Sequence, residues 1–151
     1  MKLSTPPVNV DLASLQQRHS FIDLVPVIDN RGSLVSLEAM KQVPFDIKRI
    51  FYIFHNTDGE NRGFHAHRSD QQFLICMAGK VLVRLYDGKF TNEYWLDHPS
   101  KGLLVKSMVW LEMYEFSPDC SLVVLSSEHY NEKDYIRDYD AFLEGVRSNE
   151  E

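Results

Sequence analysis

The sequence predicts an all-β domain, a sandwich or a barrel. Runs rich in Val, Ile, Leu, Phe and Tyr recur about every ten residues, and turn residues separate them. One run alternates strictly, with Val81, Val83 and Leu85 on one face of Lys80 to Tyr86. No internal repeat or low-complexity segment competes with this pattern.

Taken in order, Met1 to about residue 19 reads as an irregular or extended arm, with Pro6 and Pro7 early in it. Residues 20–147 then read as one domain, which suits a chain of 151 residues. Phe21 to Val25 and Leu34 to Leu37 are β-type runs flanking a turn at Asp29-Asn30-Arg31-Gly32. Ile47 to Phe54 is rich in Ile, Phe and Tyr, and Asn56 to Asn61 is a polar loop. Phe73 to Met77 is apolar and closes on a turn at Ala78-Gly79. Asp87-Gly88 is a strong hairpin signal. Glu93 to Leu96, Leu103 to Val105, Val109 to Phe116 and Leu122 to Leu125 complete the strand series.

From Glu132 the period changes. Tyr135, Tyr139, Phe142, Leu143 and Val146 fall on one face of a helix that ends near Gly145 to Ser148. Its apolar stripe is expected to pack on the outside of the β domain.

A net charge of −6 and the lack of a long basic run argue against double-stranded nucleic acid as a partner. No apolar run approaches the roughly 18 residues that span a bilayer. Met1 to Asp11 lacks a charged-then-apolar signal pattern, so a cytoplasmic location is expected. Cys76 and Cys120 lie in apolar surroundings without metal-ligand spacing and read as reduced, buried small hydrophobes. No Gly-rich phosphate loop or dinucleotide fingerprint is present, so no NAD or ATP cofactor is implied.

The chemistry concentrates in Arg62-Gly63-Phe64-His65-Ala66-His67-Arg68, followed by Gln71 and Gln72. On a strand His65 and His67 share a face and Ala66 takes the other. Gly63 would join the histidine face and leave room for a ligand. Imidazole moves protons near neutral pH, so this face reads as a pocket wall with proton-transfer groups. The other histidines are less telling: His19, His55 and His98 are expected to be solvated, and lining the barrel mouth is the minority reading for His129, beside Tyr130.

The Gly-x-x-His-x-His segment, a Gly-bounded hairpin and a later aromatic strand together resemble the cupin barrel, a jelly roll or double-stranded β-helix. Five segments narrow the resemblance. They are Arg31 to Val35, Pro44 to Phe54, Arg62 to Arg68, Val109-Trp110, and Tyr130-x-Glu132-x-Asp134-Tyr135-Ile136-Arg137-x-Tyr139. Together they look like the nucleotide-sugar 3,4-ketoisomerases, over about Phe21 to Phe142. The resemblance implies an isomerase that moves the ketone of dTDP-4-keto-6-deoxyglucose from C4 to C3 through an enediol. Its product would feed an aminotransferase making a 3-amino-3,6-dideoxy sugar for a bacterial surface glycan. It also implies a homodimer with exchanged N-terminal strands and no metal.

On this resemblance His65 and His67 fall on the family's catalytic pair. His67 is expected to take the carbon proton and His65 to shuttle protons between the sugar oxygens. Tyr52 is expected to donate to the oxyanion or act as a relay. Arg62 first, then Arg49 and Arg68, are the expected diphosphate ligands, because a guanidinium forks onto phosphate oxygens. Gln72 is expected in the substrate pocket, and an aromatic such as Tyr52, Phe64 or Trp110 as a platform for the base, although most aromatics in such a barrel are core. Leu111 departs from the pattern, standing where relatives often show histidine. With Gln71 and Gln72 where a carboxylate would stand, a cupin metal site lacks ligands here. A non-catalytic nucleotide-sugar-binding module and a 3,5-epimerase-like enzyme are the alternative readings, with a metal-dependent dioxygenase behind them.

Overall fold

The structure, a computed structural model, describes residues 18–149. Most of the 1–19 arm therefore lies outside the described residues. The strands run β1 (His19–Asp23), β2 (Val27–Asp29), β3 (Gly32–Leu34), β4 (Arg49–Ile53), β5 (Arg62–His67) and β6 (Gln72–Ala78). They continue as β7 (Val81–Tyr86), β8 (Thr91–Leu96), β9 (Lys101–Val105), β10 (Trp110–Tyr114), β11 (Ser121–Ser126) and β12 (Tyr135–Ile136). Helix α1 (Tyr139–Asn149) closes the described chain.

The strands form two five-stranded sheets, β1-β9-β6-β11-β4 and β12-β5-β10-β7-β8, and the ribbon β2-β3. All the ladders are antiparallel. This is the jelly-roll barrel expected from the sequence. The Asp87-Gly88 hairpin joins β7 to β8 within one sheet. The turn at Gly79 does something different. β6 and β7 do not pair, so the turn carries the chain from one sheet to the other, and its φ of +67° suits glycine.

Alternation explains the core. Val81, Val83 and Leu85 are fully buried between the sheets, against Leu74, Leu103, Leu122 and Val124. Each sheet also has a covered outer face. Val43, Phe45, Leu37 and Ile47, from the segment between β3 and β4, lie over Phe73, Ile75 and Leu125 of the first sheet. Phe142, Leu143 and Val146 of α1 lie over Ala66 and Trp110 of the second. The apolar stripe thus packs on the barrel, with Phe142 wholly buried.

Two expectations change here. Tyr135 is not on the helix: it lies in β12, opposite His67 of β5. The helix starts later because the Asp138 carboxylate accepts from the Asp140 and Ala141 amides and caps it. His19 is not solvated: it is 1% exposed in β1, and its Nε2 lies 2.9 Å from the Tyr94 hydroxyl. Cys76 and Cys120 are buried and reduced, as expected.

Candidate active site

The second sheet sets the histidines. β5 pairs with β10 on one side and β12 on the other, with His65 opposite Leu111 and His67 opposite Tyr135. Alternation holds from His65 to His67, while Ala66 turns outward beneath α1. It fails one residue earlier. The register shifts between Leu111 and Glu112, leaving Phe64 as a bulge with φ +58° beside Gly63 at +91°. A Cβ on Gly63 would meet the Leu111 carbonyl oxygen at 2.7 Å. Gly63 therefore makes room for the neighbouring strand, and it also lines the cavity, as expected of a residue that leaves space there.

A cavity of about 130 Å³ opens between the sheets, and Arg62, His65, Gln72, Leu111, Tyr135 and Phe51 are among its lining residues. Three of the expected site residues, Arg62, His65 and Gln72, thus come together. His67 lies just behind, its ring centroid 5.0 Å from that of His65. The Tyr135 ring stands 5.1 Å from His65 and 4.4 Å from His67.

The remaining expected residues lie elsewhere. Tyr52 is 64% exposed on the outer face of β4, because strand parity turns Phe51 and Ile53 inward instead. Trp110 points to the α1 side of β10, meets Tyr139 edge-to-face and Phe142 at a tilt, and donates to Glu112. Arg68 is exposed outside the cavity. Arg49 is engaged by Asp70 at 3.2 Å and by the faces of Phe51 and Tyr130.

Behind the cavity is a buried polar network. Asp70, 2% exposed, accepts from Ser126, Ser127, the Glu128 amide, Gln72 and Arg49. Asp134 accepts from the Ser69 amide and hydroxyl and from the Asp70 amide. Its Oδ2 lies 3.3 Å from His67 Nδ1. The ligand atoms of His67, Asp70 and Asp134 lie within 4.8 Å of one another, close enough for a cation. Their oxygens already accept from protein donors, and the Arg49 guanidinium supplies the positive charge.

Burial, and next the adjacent His67, push the His65 imidazole down to about 4, so it is uncharged near neutral pH. Burial also lowers His67, while Asp70 and Asp134 pull the other way. Burial alone would raise Asp134, but hydrogen bonds from Ser69 and Asp70 hold it below the usual carboxylate range. The wall thus offers an imidazole, a phenol beside it, and a second imidazole 3.3 Å from a carboxylate.

Asp70, Asp134, Tyr135 and Phe51 were missed at the level of sequence. Asp134-Tyr135 lies inside the Tyr-x-Glu-x-Asp-Tyr segment, and an Asp138 cap was the available sign that Tyr135 precedes the helix.

Comparison with known proteins places the whole described domain in one family. The family model described as "FdtA: WxcM-like, C-terminal" matches residues 17–147. The TDP-4-oxo-6-deoxy-alpha-D-glucose-3,4-oxoisomerase of Aneurinibacillus thermoaerophilus is 50% identical over 121 residues, 80% of this chain and 87% of that protein. A crystal structure of a 3,4-ketoisomerase from Helicobacter canadensis superposes with a TM-score of 0.82 at 43% identity, covering 85% of this chain and 97% of that one. That of QdtA, a sugar 3,4-ketoisomerase from Thermoanaerobacterium thermosaccharolyticum in complex with TDP, gives 0.84 at 36%, covering 89% and 98%.

Proposed function

This chain belongs to the FdtA family, and from that membership we propose that it is a TDP-sugar 3,4-ketoisomerase whose carbon chemistry runs on His65. The observation that carries the reading is a pair of histidines, one of them in the wall of a small cavity with an arginine at its edge. The substrate is a TDP-linked 4-keto-6-deoxy sugar, the class named for the 50% identical relative. The 50% identity to a 3,4-oxoisomerase favours this reading over epimerase chemistry and over a binding module.

The ketone at C4 acidifies the proton on C3. A base removes it and leaves an enediolate, and a proton is then delivered to C4. The hydroxyl proton of O3 passes to O4, so the sugar exchanges one ketone for another with no net loss of atoms or electrons. At about 130 Å³ the cavity is well below the roughly 300–1,000 Å³ that encloses a whole drug-sized ligand. It suits the reacting part of the sugar, with the diphosphate outside near Arg62. The Tyr135 hydroxyl takes the oxyanion role first expected of Tyr52.

On sequence alone the carbon proton fell to His67. The exchange of roles is supported by position. His65 lines the cavity, whereas both His67 nitrogens face protein groups, Asp134 and Gln72. His67 is then the shuttle between oxygens.

The test is proton NMR of TDP-4-keto-6-deoxyglucose with the purified protein in deuterated buffer, with a 3-aminotransferase to trap product. Deuterium at C3 or C4 with a new 3-keto product is expected. Exchange at C5 would mark an epimerase, and intact binding without exchange a binding module.

We also infer a cytoplasmic homodimer with exchanged N-terminal strands. No helix among the described residues is long and apolar enough to cross a membrane. The β2-β3 ribbon joins neither large sheet and exposes Val27, Ile28 and Leu34. β4 is an edge strand whose outer face shows Ile50 and Tyr52. Light scattering should give a dimer mass, and Ile28→Glu with Leu34→Glu should give a monomer. A monomeric wild-type chain would defeat this inference.

A further inference from the structure

We propose that Asp134 is a positioning residue for the isomerisation, holding His67 as the Nδ1–H tautomer so that its Nε2 stays a proton acceptor beside the cavity. The inference rests on the ketoisomerase reading above.

The tautomer follows from the neighbours. The Gln72 amide nitrogen lies 3.1 Å from the Asp70 Oδ2. A carboxylate only accepts, so this contact fixes which end of the amide is nitrogen. The same nitrogen lies 3.3 Å from His67 Nε2. An amide NH₂ only donates, so Nε2 accepts and the ring proton sits on Nδ1.

That proton needs an acceptor. His67 is 7% exposed, so its acceptor is sought among the protein groups around it. Asp134 Oδ2 is the nearest carboxylate oxygen, 3.3 Å from Nδ1 at ion-pair distance but not aligned as a hydrogen bond in this conformation, and Asp70 stands at 4.0 Å. Asp134 is itself fixed. Its Oδ1 takes the Ser69 amide at 2.9 Å and hydroxyl at 2.7 Å, and its Oδ2 takes the Asp70 amide at 3.1 Å. The backbone adds a further constraint. The Arg68 amide donates to the Asp134 carbonyl, and Tyr135 pairs with His67 in β12 and β5. One short ladder therefore sets both the phenol and the carboxylate against the two histidines.

The consequence for the reaction is specific. His67 Nε2 accepts the hydroxyl proton from O3, once Gln72 turns its amide to the sugar, and returns it to O4. Between those events His67 is an imidazolium. Asp134 and Asp70 stabilise that cation, while Arg49 and, once it holds the C3 proton, His65 oppose it.

Two measurements test this. In ¹⁵N-histidine-labelled wild-type protein near pH 7, His67 should show a protonated Nδ1 and an unprotonated Nε2. The reverse tautomer overturns the proposal, and this reading needs no variant to fold. In Asp134→Asn, kcat should fall roughly 10- to 100-fold, with KM within about threefold. Losing the carboxylate should also move the acidic limb of kcat to lower pH, because Asp134 raises His67. Asp134→Glu should recover part of kcat. Wild-type kcat with an unmoved limb in Asp134→Asn overturns the proposal. So does loss of kcat and TDP affinity together with the His67 tautomer unchanged. A wild-type chain with the expected tautomer but no isomerisation overturns the ketoisomerase reading, and with it the catalytic role, while leaving the Asp134–His67 pairing in place.

Discussion

His65→Asn is expected to lower isomerase turnover by about 100- to 10,000-fold, the range for losing a general base. Asparagine keeps a polar group of similar reach but has no basic nitrogen. The cavity admits only the reacting end of the ligand, so TDP affinity should change little. The informative comparison is with His67→Asn. If His65 takes the carbon proton, His65→Asn loses deuterium exchange at C3. His67→Asn should keep that exchange and lose the completed ketone transfer, because the oxygen relay is broken. The opposite pattern, with C3 exchange kept in His65→Asn and lost in His67→Asn, would restore the roles first read from the sequence. NMR on the two variants and the wild type decides between them.

Periodicity carried the barrel, because strands that alternate between a core and a surface must write that period into the chain. Val81, Val83 and Leu85 are the clearest case, and all three are fully buried. The histidine pair was legible for the same reason, since two residues along a strand return to the same face. What failed was phase and company. Tyr52 and Phe51 are adjacent in an aromatic run, and parity alone decides which of them enters the barrel. Only the register of β4 against β11, with Phe51 opposite Val124, settles it. Tyr135 fits a helical spacing with Tyr139 and Phe142, yet pairing with β5 takes it out of the helix. Asp70 and Asp134 act through partners many residues away, such as Ser126 and His67. No local pattern marks a carboxylate whose donors arrive from another strand. His19 failed similarly: its burial depends on Tyr94, in β8.

Gly63→Ala is the second large effect, and it tests the bulge beside His65. Two costs combine at this position. The backbone sits at φ +91°, a region that an L side chain rarely adopts. The added Cβ would also stand 2.7 Å from the Leu111 carbonyl oxygen and 2.9 Å from its Cδ2. A side-chain carbon can move aside, but the carbonyl belongs to β10, which pairs with β5 on one side and β7 on the other. Together these should destabilise the fold by about 2–4 kcal/mol, a drop in Tm of roughly 5–15 °C. Gly59→Ala is the matched control. It too has a positive φ, +66°, but nothing lies within 4 Å of its added Cβ. It should cost only about 1 kcal/mol. Equal melting of the two variants by calorimetry would mean that contact with Leu111 contributes nothing. A double variant separates the two parts of that contact. Leu111→Ala removes Cδ2 but leaves the carbonyl, so adding it to Gly63→Ala should not restore stability. If it did, the side chain rather than the backbone would be what requires glycine here, and β5 would have room to carry a Cβ next to its catalytic strand register.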